Sequence, residues 1–363
     1  MKMSKGAYIH IPFCNNICSY CDFCKMFYKK SWADNYLVSL KNEVEDRYHN
    51  EEIKTLYIGG GTPSCLNNEQ LEFLLKIATH LNVSNLEEFT IECNLNDINE
   101  DFLTLISKYH VNRLSIGIES FNEDVLKKLN RHHTFEDAKQ KINLCRQYNI
   151  SNINLDLIYA INGETLKDVK EDLKLFLKLK PDHISTYSLI IEDHTLLKIN
   201  NEQPIDDELD YDMYEYICKV LKSKGYHHYE ISNFAKPGFE SKHNLIYWHN
   251  EEYYGFGLGA CGYIDKVRNE NTKSLTKYLN GEYVKEFTLI GEDTRMDNEI
   301  MLGLRLTNGI SLKEFEEKYQ KSIFDAYDLK SLIKNNDLVK KKNHIYIHPD
   351  KLYIMNEILI KII

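Results

Sequence analysis

The strongest constraint on the fold is a regular alternation of short apolar runs and longer amphipathic stretches. Six runs rich in β-branched or aromatic residues predict strands at 7–11, 55–58, 88–92, 113–118, 153–158 and 183–189. Between them, helical periodicity lies at 34–48, 68–81, 135–148 and 165–179. Repeated strand-then-helix units predict parallel strands joined by right-handed crossovers. Because a complete eight-stranded barrel takes about 250 residues, six units favour an α/β fold with a partial (β/α)6 barrel.

The second half of the chain has a different rhythm. After residue 192 come a polar loop, a helical stretch at 206–224, a strand-like run at 226–231 and a Gly-rich segment at 255–262. From residue 294 onward, helical runs precede two strand-like pieces at 338–341 and 344–347, which is typical of a small winged-helix-like module. We therefore predict a barrel at 1–200, a connecting region at 201–285 and a smaller winged-helix-like C-terminal domain at 286–363.

The charge balance and the hydropathy pattern exclude several classes of protein. Lys and Arg number 45 against 55 Asp and Glu, a formal net charge of -10, which argues against a general affinity for nucleic acid. No apolar run approaches the roughly 20 residues that cross a bilayer, and the first strand-like run begins too early for a secretory signal. We expect a cytoplasmic protein without a transmembrane segment and leave peripheral membrane contact open.

Four of the nine cysteines lie together just after the first strand-like run. Cys14, Cys18 and Cys21 have the spacing C-x3-C-x2-C, and Cys24 follows. Cytoplasmic thiols stay reduced, and thiolates three or four residues apart on a loop hold iron-sulfur clusters. A zinc site is the alternative, but it prefers two separated cysteine pairs, and the chain has no second pair. Cys24 remains open as a reactive thiol, a fourth ligand in a resting state or a packed small residue.

Three cysteine ligands leave one iron of a four-iron, four-sulfur cluster open. That iron can chelate the amino and carboxylate groups of S-adenosylmethionine (SAM). An electron from the cluster then cleaves the sulfonium to a 5'-deoxyadenosyl radical, a chemistry that the cofactors supply and the protein positions. The cysteine loop therefore indicates a radical SAM protein.

Further candidate residues follow the other predicted strands, where the functional groups of a parallel barrel lie. The second strand ends in a Gly59-Gly60-Gly61-Thr62 turn, which we expect to let SAM approach the backbone and to leave amides free to bond it. The later strands add carboxylates at Glu92, Glu119 and Asp156, and Arg131 could pair with a ligand or with them. A buried carboxylate is costly unless it is paired or bonds a ligand.

A second motif, His243-Asn244-Leu-Ile-Tyr247-Trp248, lies far from the cysteines in the sequence. Imidazole is the usual proximal ligand of haem iron, and the two aromatic residues could flank the macrocycle. An amphipathic helix with a capped histidine and core aromatics explains the same pattern. The Gly-rich segment at 255–262 that follows is expected to be a turn-rich connector or a place of close backbone approach.

Taken together, these strings resemble the family of oxygen-independent coproporphyrinogen III oxidases and their haem-chaperone relatives. The resemblance covers nearly the whole chain and rests on Tyr-Ile-His-Ile-Pro-Phe-Cys, Gly-Gly-Gly-Thr-Pro-Ser, Asn-Arg-Leu-Ser-Ile-Gly, Asp-Leu-Ile-Tyr and Ile-Ser-Asn-Phe-Ala-Lys-Pro-Gly, in that order. It implies a partial (β/α)6 radical SAM barrel followed by a family-specific C-terminal domain.

The resemblance also implies site residues at matching positions. Cys14, Cys18 and Cys21 would ligate the cluster. The residues lining SAM would be Tyr8, Tyr20, Gly60, Gly61, Thr62, Glu92, Glu119, Arg131 and Asp156. Three positions depart from the family pattern: Glu119 replaces a frequent glutamine, Asn162 an expected proline, and Cys261 an expected Ser or His. The contacts at these positions are therefore left open.

Three features favour the haem-chaperone branch over the oxidase branch. The chain reaches its first strand by residue 7, without the N-terminal extension of the oxidases, and Cys24 follows Cys21 after two residues rather than one. In addition, His243 with Tyr247 and Trp248 matches the haem-binding motif proposed for the chaperones.

Our hypothesis is a cytoplasmic chaperone that carries haem as cargo. It would deliver haem to haem-dependent respiratory or electron-transfer proteins and receive an electron for its cluster from a donor. The alternatives are an oxidase that converts coproporphyrinogen propionates to vinyl groups and a non-enzymatic haem-storage or regulatory protein. Whether the chain is an enzyme stays open.

Overall fold

A computed structural model describes residues 5–363, so the first four residues of the region predicted at 1–200 lie outside the described part. The strands are β1 (Lys5–Ile11), β2 (Phe13–Cys14), β3 (Met26–Phe27), β4 (Ile53–Gly60), β5 (Glu88–Asn94), β6 (Arg113–Glu119), β7 (Asn152–Tyr159), β8 (His183–Ser188), β9 (His227–Glu230), β10 (Asn233–Ala235), β11 (Tyr253–Phe256), β12 (Cys261–Ile264), β13 (Val267–Asn271), β14 (Val284–Leu289), β15 (Ile310–Ser311), β16 (Leu338–Lys341) and β17 (His344–Ile347).

The helices are α1 (Lys30–Arg47), α2 (Asn68–Ala78), α3 (Glu100–Lys108), α4 (Glu123–Lys128), α5 (Phe135–Gln147), α6 (Leu166–Lys178), α7 (Leu196–Ile199), α8 (Asp207–Ser223), α9 (Lys242–Trp248), α10 (Leu275–Leu279), α11 (Glu292–Gly303), α12 (Leu312–Tyr319), α13 (Ile323–Ala326), α14 (Lys330–Lys334) and α15 (Met355–Leu359). None of these helices is long and apolar enough to cross a membrane.

The six predicted barrel strands all form, and they lie side by side in sequence order. β1, β4, β5, β6, β7 and β8 run parallel within a sheet of 12 strands. Helices follow each of the six strands, so the predicted partial (β/α)6 barrel is confirmed. The sheet is open, because its strand order runs from β14 at one edge to β9 at the other. The carboxyl ends of the six strands therefore meet at one end of the barrel.

Reciprocal side-chain caps begin three of the helices that follow barrel strands. The pairs are Asn67 with Gln70 at α2, Thr134 with Asp137 at α5 and Thr165 with Asp168 at α6. Each pair satisfies amide donors that the start of a helix otherwise leaves unpaired. The crossovers therefore begin at defined residues and return the chain to the next strand.

The Gly-rich segment at 255–262 is part of the sheet rather than a connector alone. β11 pairs in parallel with β1, and β12, β13 and β14 extend the sheet in antiparallel order beyond it. The glycines allow close strand approach, since a Cβ on Gly255 would lie 1.9 Å from the carbonyl oxygen of Cys261. The expectation of close backbone approach is met here by strand packing.

The described chain has two large hydrophobic cores and a small third cluster of Val125, Leu129, Ile158 and Ile161. The first core continues past the barrel through Met213 and Ile217 to Tyr278, so residues 201–285 share the core of the barrel. The second core runs from Met296 to Leu359 and contains the antiparallel sheet β15-β17-β16 packed with short helices, as expected for a winged-helix-like domain. β14 continues the large sheet to Leu289, a few residues past the predicted boundary at 285.

Candidate functional site

One cavity of about 390 Å³ opens at the carboxyl ends of the barrel strands. Such a volume lies within the usual range for small-molecule sites. The predicted residues that line it are Cys14, Cys18, Tyr20, Cys21, Gly60, Gly61, Thr62, Glu92, Glu119, Arg131 and Asp156. Tyr8, Cys24, His243, Tyr247 and Trp248 are not part of this lining. The tertiary structure thus brings together eleven residues that the sequence scatters over more than 140 positions.

The three cysteines of the C-x3-C-x2-C spacing lie on one wall of the cavity. Cys14 is buried at the end of β2, while Cys18 and Cys21 are half-buried. The Thr62 hydroxyl donates to the Cys14 sulfur over 3.5 Å. Burial raises the pKa of the Cys14 thiol to about 11, so a metal must displace its proton to bind. All three thiols line the same cavity.

The spacing of these thiols differs from that of a single-metal site. Among residues 5–363, no three His, Cys, Asp or Glu side chains lie close enough together to hold one metal ion. The inorganic core of an iron-sulfur cluster separates its thiolates more widely than a single tetrahedral ion does. The described part of the chain therefore contains no ready-made site for a single zinc ion.

A buried relay holds the far end of the cysteine loop. The Tyr8 hydroxyl lies 2.9 Å from His10 Nδ1, and His10 Nε2 lies 2.7 Å from the Cys24 carbonyl oxygen. A carbonyl only accepts, so Nε2 carries the proton and Nδ1 accepts from Tyr8. Burial lowers the pKa of His10 to about 4, which keeps the ring neutral. Tyr8 thus supports the loop from behind instead of lining the cavity, and the motif analysis missed His10 altogether.

The Cys24 side chain points away from the cavity, toward the Gly-rich segment. A Cβ on Gly259 would lie 3.3 Å from the Cys24 sulfur and 3.0 Å from its Cβ. Of the three roles considered for Cys24, this conformation matches the packed small residue. The loop therefore presents three thiols to the cavity and turns the fourth inward.

The glycine turn after β4 does not offer free amides, contrary to the sequence-based expectation. The Gly60 amide donates to Glu92 Oε2 over 2.9 Å, and the Gly61 and Thr62 amides donate to backbone carbonyls of the β1–β2 segment over 2.8 Å. Gly60 has a φ of +113°, and a Cβ there would lie 2.3 Å from the His10 ring. Glycine is required here because the turn packs against the first strand. Since the amides are already bonded, a ligand could contact the turn only through the Cα atoms of the glycines.

Glu119, the residue that departs from the family pattern, forms a buried ion pair. Arg131 Nη2 lies 2.5 Å from Glu119 Oε1, and the Tyr20 hydroxyl donates to the same oxygen over 2.9 Å. Burial raises the pKa of Glu119 to about 7, although Arg131 and Tyr20 oppose the shift. An acidic partner thus holds the Arg131 guanidinium at the cavity wall. A glutamine at position 119 is uncharged and could not form this ion pair.

The other two predicted carboxylates lie deeper in the barrel. Glu92 accepts from the Tyr57 hydroxyl over 2.7 Å, and Asp156 accepts from Asn154 Nδ2 over 2.9 Å. Burial raises the pKa of both carboxyls above their ordinary values, and these hydrogen bonds oppose the rise. Their position on a cavity wall suits recognition of hydroxyl or amino groups.

Helix α9 lies at the opposite, amino-terminal end of the strands. Its first turn is capped by Glu88 at the start of β5, which accepts from the Lys242 and His243 amides over 2.9 and 3.0 Å. A Cβ on Gly6 at the start of β1 would lie 3.4 Å from the His243 ring. The helix therefore closes the bottom of the barrel.

Both ring nitrogens of His243 are engaged within the protein. Nδ1 lies 2.8 Å from Thr55 Oγ1, and Nε2 lies 2.7 Å from the Tyr247 hydroxyl. The ring stacks on Tyr57 with centroids 5.2 Å apart and is 1% exposed. Burial lowers the pKa of His243 to about 3, so the imidazole is neutral. Iron ligation by His243 requires the release of one of these hydrogen bonds.

The remaining motif positions have separate surroundings. Trp248 Nε1 is buried without a hydrogen-bond partner in the described part of the chain, and Asn244 is the motif residue that reaches the cavity. The Asn162 carbonyl accepts from Lys128 Nζ over 2.6 Å. Cys261 begins β12 and does not line the cavity.

Comparisons with known proteins agree with this architecture. Residues 8–176 match the Radical SAM superfamily, and residues 290–349 match the HemN C-terminal domain. Heme chaperone HemW of Lactococcus lactis is 38% identical over 99% of this chain and 98% of its own length. Heme chaperone HemW of Bacillus subtilis is 38% identical over 96% of both chains.

Among solved structures, the coproporphyrinogen III oxidase HemN of Escherichia coli has a similar fold. Its TM-score is 0.87 at 22% sequence identity, covering 99% of this chain and 90% of the oxidase. At that identity the likeness establishes the fold, a radical SAM barrel with its C-terminal domain.

Proposed function

The chain belongs to the heme chaperone HemW family of radical SAM proteins, and on that premise we propose that it binds haem and delivers it to haem-dependent proteins. The observation that carries the proposal is the near full-length match to two chaperones, which spans the barrel and the C-terminal domain alike. The acceptors would be respiratory or electron-transfer proteins. An electron donor for the cluster and a cytoplasmic location complete the proposal.

The cavity would hold the two cofactors that the superfamily implies. Cys14, Cys18 and Cys21 would hold a four-iron, four-sulfur cluster, and the carboxylates of Glu92 and Asp156 would orient SAM through its hydroxyl or amino groups. When bound, these cofactors supply an electron and a 5'-deoxyadenosyl radical. The residues of the chain would position these ligands, and Glu119 would hold the Arg131 guanidinium beside them.

Exposed apolar side chains at the mouth of the cavity support a flat apolar cargo. Phe23 is 63% exposed, Ile190 70% and Tyr187 43%, and all three line the cavity. Aromatic and aliphatic surface of this kind favours contact with the face of a macrocycle. Haem at this mouth would lie next to the cluster and SAM.

A second, separate placement of haem is at α9, at the opposite end of the barrel from this mouth, with His243 as the iron ligand and Tyr247 and Trp248 flanking the macrocycle. It requires α9 to give up the Tyr247 or the Thr55 hydrogen bond, because both ring nitrogens are otherwise in use. A haem-bound form would therefore differ from this conformation at the base of the barrel.

Anaerobic reconstitution tests the proposal against its alternatives. Haem is added to the protein with its cluster and SAM, the Soret band is recorded, and transfer to a haem-free acceptor is followed. Transfer without decarboxylation supports the chaperone. Formation of vinyl products from coproporphyrinogen and SAM would contradict the chaperone proposal and favour an oxidase. Haem binding without any transfer would contradict it and favour a storage protein. Loss of the Soret band in His243→Ala supports ligation by that residue.

A further inference from the structure

A basic groove lies on the outer surface of the barrel, between α6 and α8. It has a volume of about 900 Å³ and is lined by six lysines and a single carboxylate, Glu171. The six are Lys170, Lys174, Lys178, Lys180, Lys224 and Lys236. Because the whole chain carries a formal net charge of -10, the charge of this groove is opposite to that of the protein.

Most of these lysines lack an acidic partner. Lys174 pairs with Glu171, and Lys236 pairs with Asp182. Within residues 5–363, no carboxylate forms an ion pair with Lys170, Lys178, Lys180 or Lys224. Asp and Glu number 55 against 45 Lys and Arg, so the chain does not lack carboxylates that could neutralise them. The positive charge of the groove is therefore left for a group outside the protein.

The spacing of the lysines on α6 points in the same direction. Lys170, Lys174 and Lys178 recur every fourth residue and form one stripe along the helix. Like charges at this spacing destabilise a helix. The helix macrodipole favours a cation in the last turn, which explains Lys178 but neither of the two earlier lysines. The stripe is therefore better explained by binding than by the stability of α6.

Apolar side chains form the floor of the groove. Leu173 is buried, and Leu177, Tyr216 and Val220 are half-buried beside it. The Lys170 ammonium lies 5.0 Å from the centre of the Tyr216 ring, which is close enough for a cation–π contact. The groove thus offers positive charge along its wall and apolar contact below.

This arrangement favours a protein segment over a phosphate-rich partner. Single-stranded nucleic acid stacks its bases on accessible aromatic rings, but Tyr226 is 6% exposed and Lys170 lies over Tyr216. A bilayer surface contacts apolar side chains that protrude, whereas those of the groove lie below the lysines. An acidic segment with apolar side chains among its carboxylates can use both the wall and the floor.

The distances along the groove suit such a segment. Lysines four residues apart on a helix are separated by about 6 Å along its axis. Carboxylates two residues apart in an extended chain are separated by about 6.6 Å. Alternate acidic residues can therefore follow the stripe one by one.

We propose that the groove between α6 and α8 binds an acidic segment of a partner protein, whose carboxylates pair with the Lys170–Lys174–Lys178 stripe and whose apolar side chains contact the floor. Since α6 connects the end of β7 to the start of β8, Lys178 and Lys180 lie at the amino-terminal end of the barrel. The cavity at the carboxyl ends of the strands thus stays open while the partner is bound. The proposal does not depend on which cargo the protein carries.

Fluorescence anisotropy with the full chain and labelled peptides tests the groove. The acidic probe has the repeat Glu-Glu-Leu, and the uncharged probe of equal length has the repeat Gln-Gln-Leu. The acidic probe is expected to bind at least about tenfold more tightly, with an affinity that falls as salt screens the charges. Absence of acidic-probe binding at submillimolar concentration and low salt would overturn the proposal.

Variants then assign the binding to the groove. Lys174→Glu combined with Lys178→Glu is expected to weaken binding of the acidic probe by at least about tenfold. Lys330→Glu combined with Lys334→Glu is the matched control, because these exposed lysines have the same spacing on α14. Lys174→Gln combined with Lys178→Gln covers the case that charge reversal prevents folding, and it should show an intermediate loss. An equal loss in the α6 and α14 variants would refute the groove as the site.

The remaining occupants are tested with the same variants. The probes are single-stranded RNA, vesicles of phosphatidylglycerol and the protein itself in sedimentation at rising concentration. Tighter binding of RNA or vesicles than of the acidic peptide, lost in the α6 variants, would replace the proposed partner. Self-association that the α6 variants abolish would assign the groove to a second copy of the chain and would equally overturn the proposal.

Discussion

The cysteine loop and helix α9 lie at opposite ends of the barrel interior and differ in how their polar groups are satisfied. At the carboxyl end, the loop turns three thiols into a cavity, and the Cys14 thiol accepts a hydrogen bond from Thr62. At the amino end, α9 is capped by Glu88 and its His243 ring is bonded on both sides. The first region is prepared to bind an external group, whereas the second already has its partners inside the protein.

The difference shows that a motif alone does not reveal whether its atoms are free. Both regions carry residues with strong affinity for iron, and both are compact in sequence. Only the cysteine loop presents them to a cavity in this conformation. Binding at α9 has an additional cost, because native hydrogen bonds must be broken before a ligand can form new ones.

The largest expected effect is at the cysteine loop. Replacing Cys14, Cys18 or Cys21 by Ala is expected to abolish the iron-sulfur absorbance, because a cluster with two remaining thiolates loses its attachment. The loss of the cluster is measured by the iron content and the visible absorbance of the reconstituted protein. Cys24→Ala is the control and should keep the cluster, as its sulfur faces Gly259. A full iron content in any of the three variants would contradict the assignment.

At α9, His243→Ala is expected to destabilise the protein even without haem. The substitution removes two buried hydrogen bonds and a ring stacked on Tyr57, at a cost of about 3–4 kcal/mol. Urea unfolding of the haem-free protein measures the loss. His344→Ala, at an exposed position of β17, should change the free energy of unfolding very little. Equal free energies of unfolding in the two variants would show that the His243 contacts do not stabilise the protein.

Beside the cysteine loop, Glu119→Gln is expected to change the pH dependence of stability. The pKa of Glu119 is raised from an ordinary 4.5 to about 7 by burial, so the folded state keeps a proton that the unfolded state loses. This stabilisation is full below pH 4.5 and disappears as the pH rises through 7, a change of up to about 3 kcal/mol. The free energy of unfolding of the cluster-free protein, measured between pH 5 and 8, should therefore fall more steeply with rising pH in the wild type than in Glu119→Gln. Parallel curves would refute the shift.

The smallest effect is expected behind the loop, in the Tyr8–His10 relay. Tyr8→Phe removes one hydrogen bond to His10 Nδ1 and is expected to cost about 1 kcal/mol, with faster loss of the cluster on dilution. His10→Ala also removes the hydrogen bond to the Cys24 carbonyl, so it should lower the stability more and speed the loss of the cluster more than Tyr8→Phe does. If both variants retain the cluster as long as the wild type, the loop does not need this support.

Much of the barrel could be predicted because its signals are local. Strand and helix runs, the cap pairs and the cysteine spacing lie within a few residues of each other, and the six parallel strands follow from them. Strands β11 and β12 were missed because their glycines are typical of turns, and only the approach of Cys261 to Gly255 explains them.

The amino-acid sequence alone was sufficient to identify the three thiols and to place most of the carboxylates, since parallel strands bring their ends to one edge. Tertiary structure decided which of these groups are free. Glycine amides expected to bind a ligand are used against the first strand, and His243 is bonded on both sides. Arg113, to which the sequence assigned no role, has a buried Nε atom without a hydrogen-bond partner among residues 5–363. Burial and pairing depend on residues that are distant in sequence, so no local pattern encodes them.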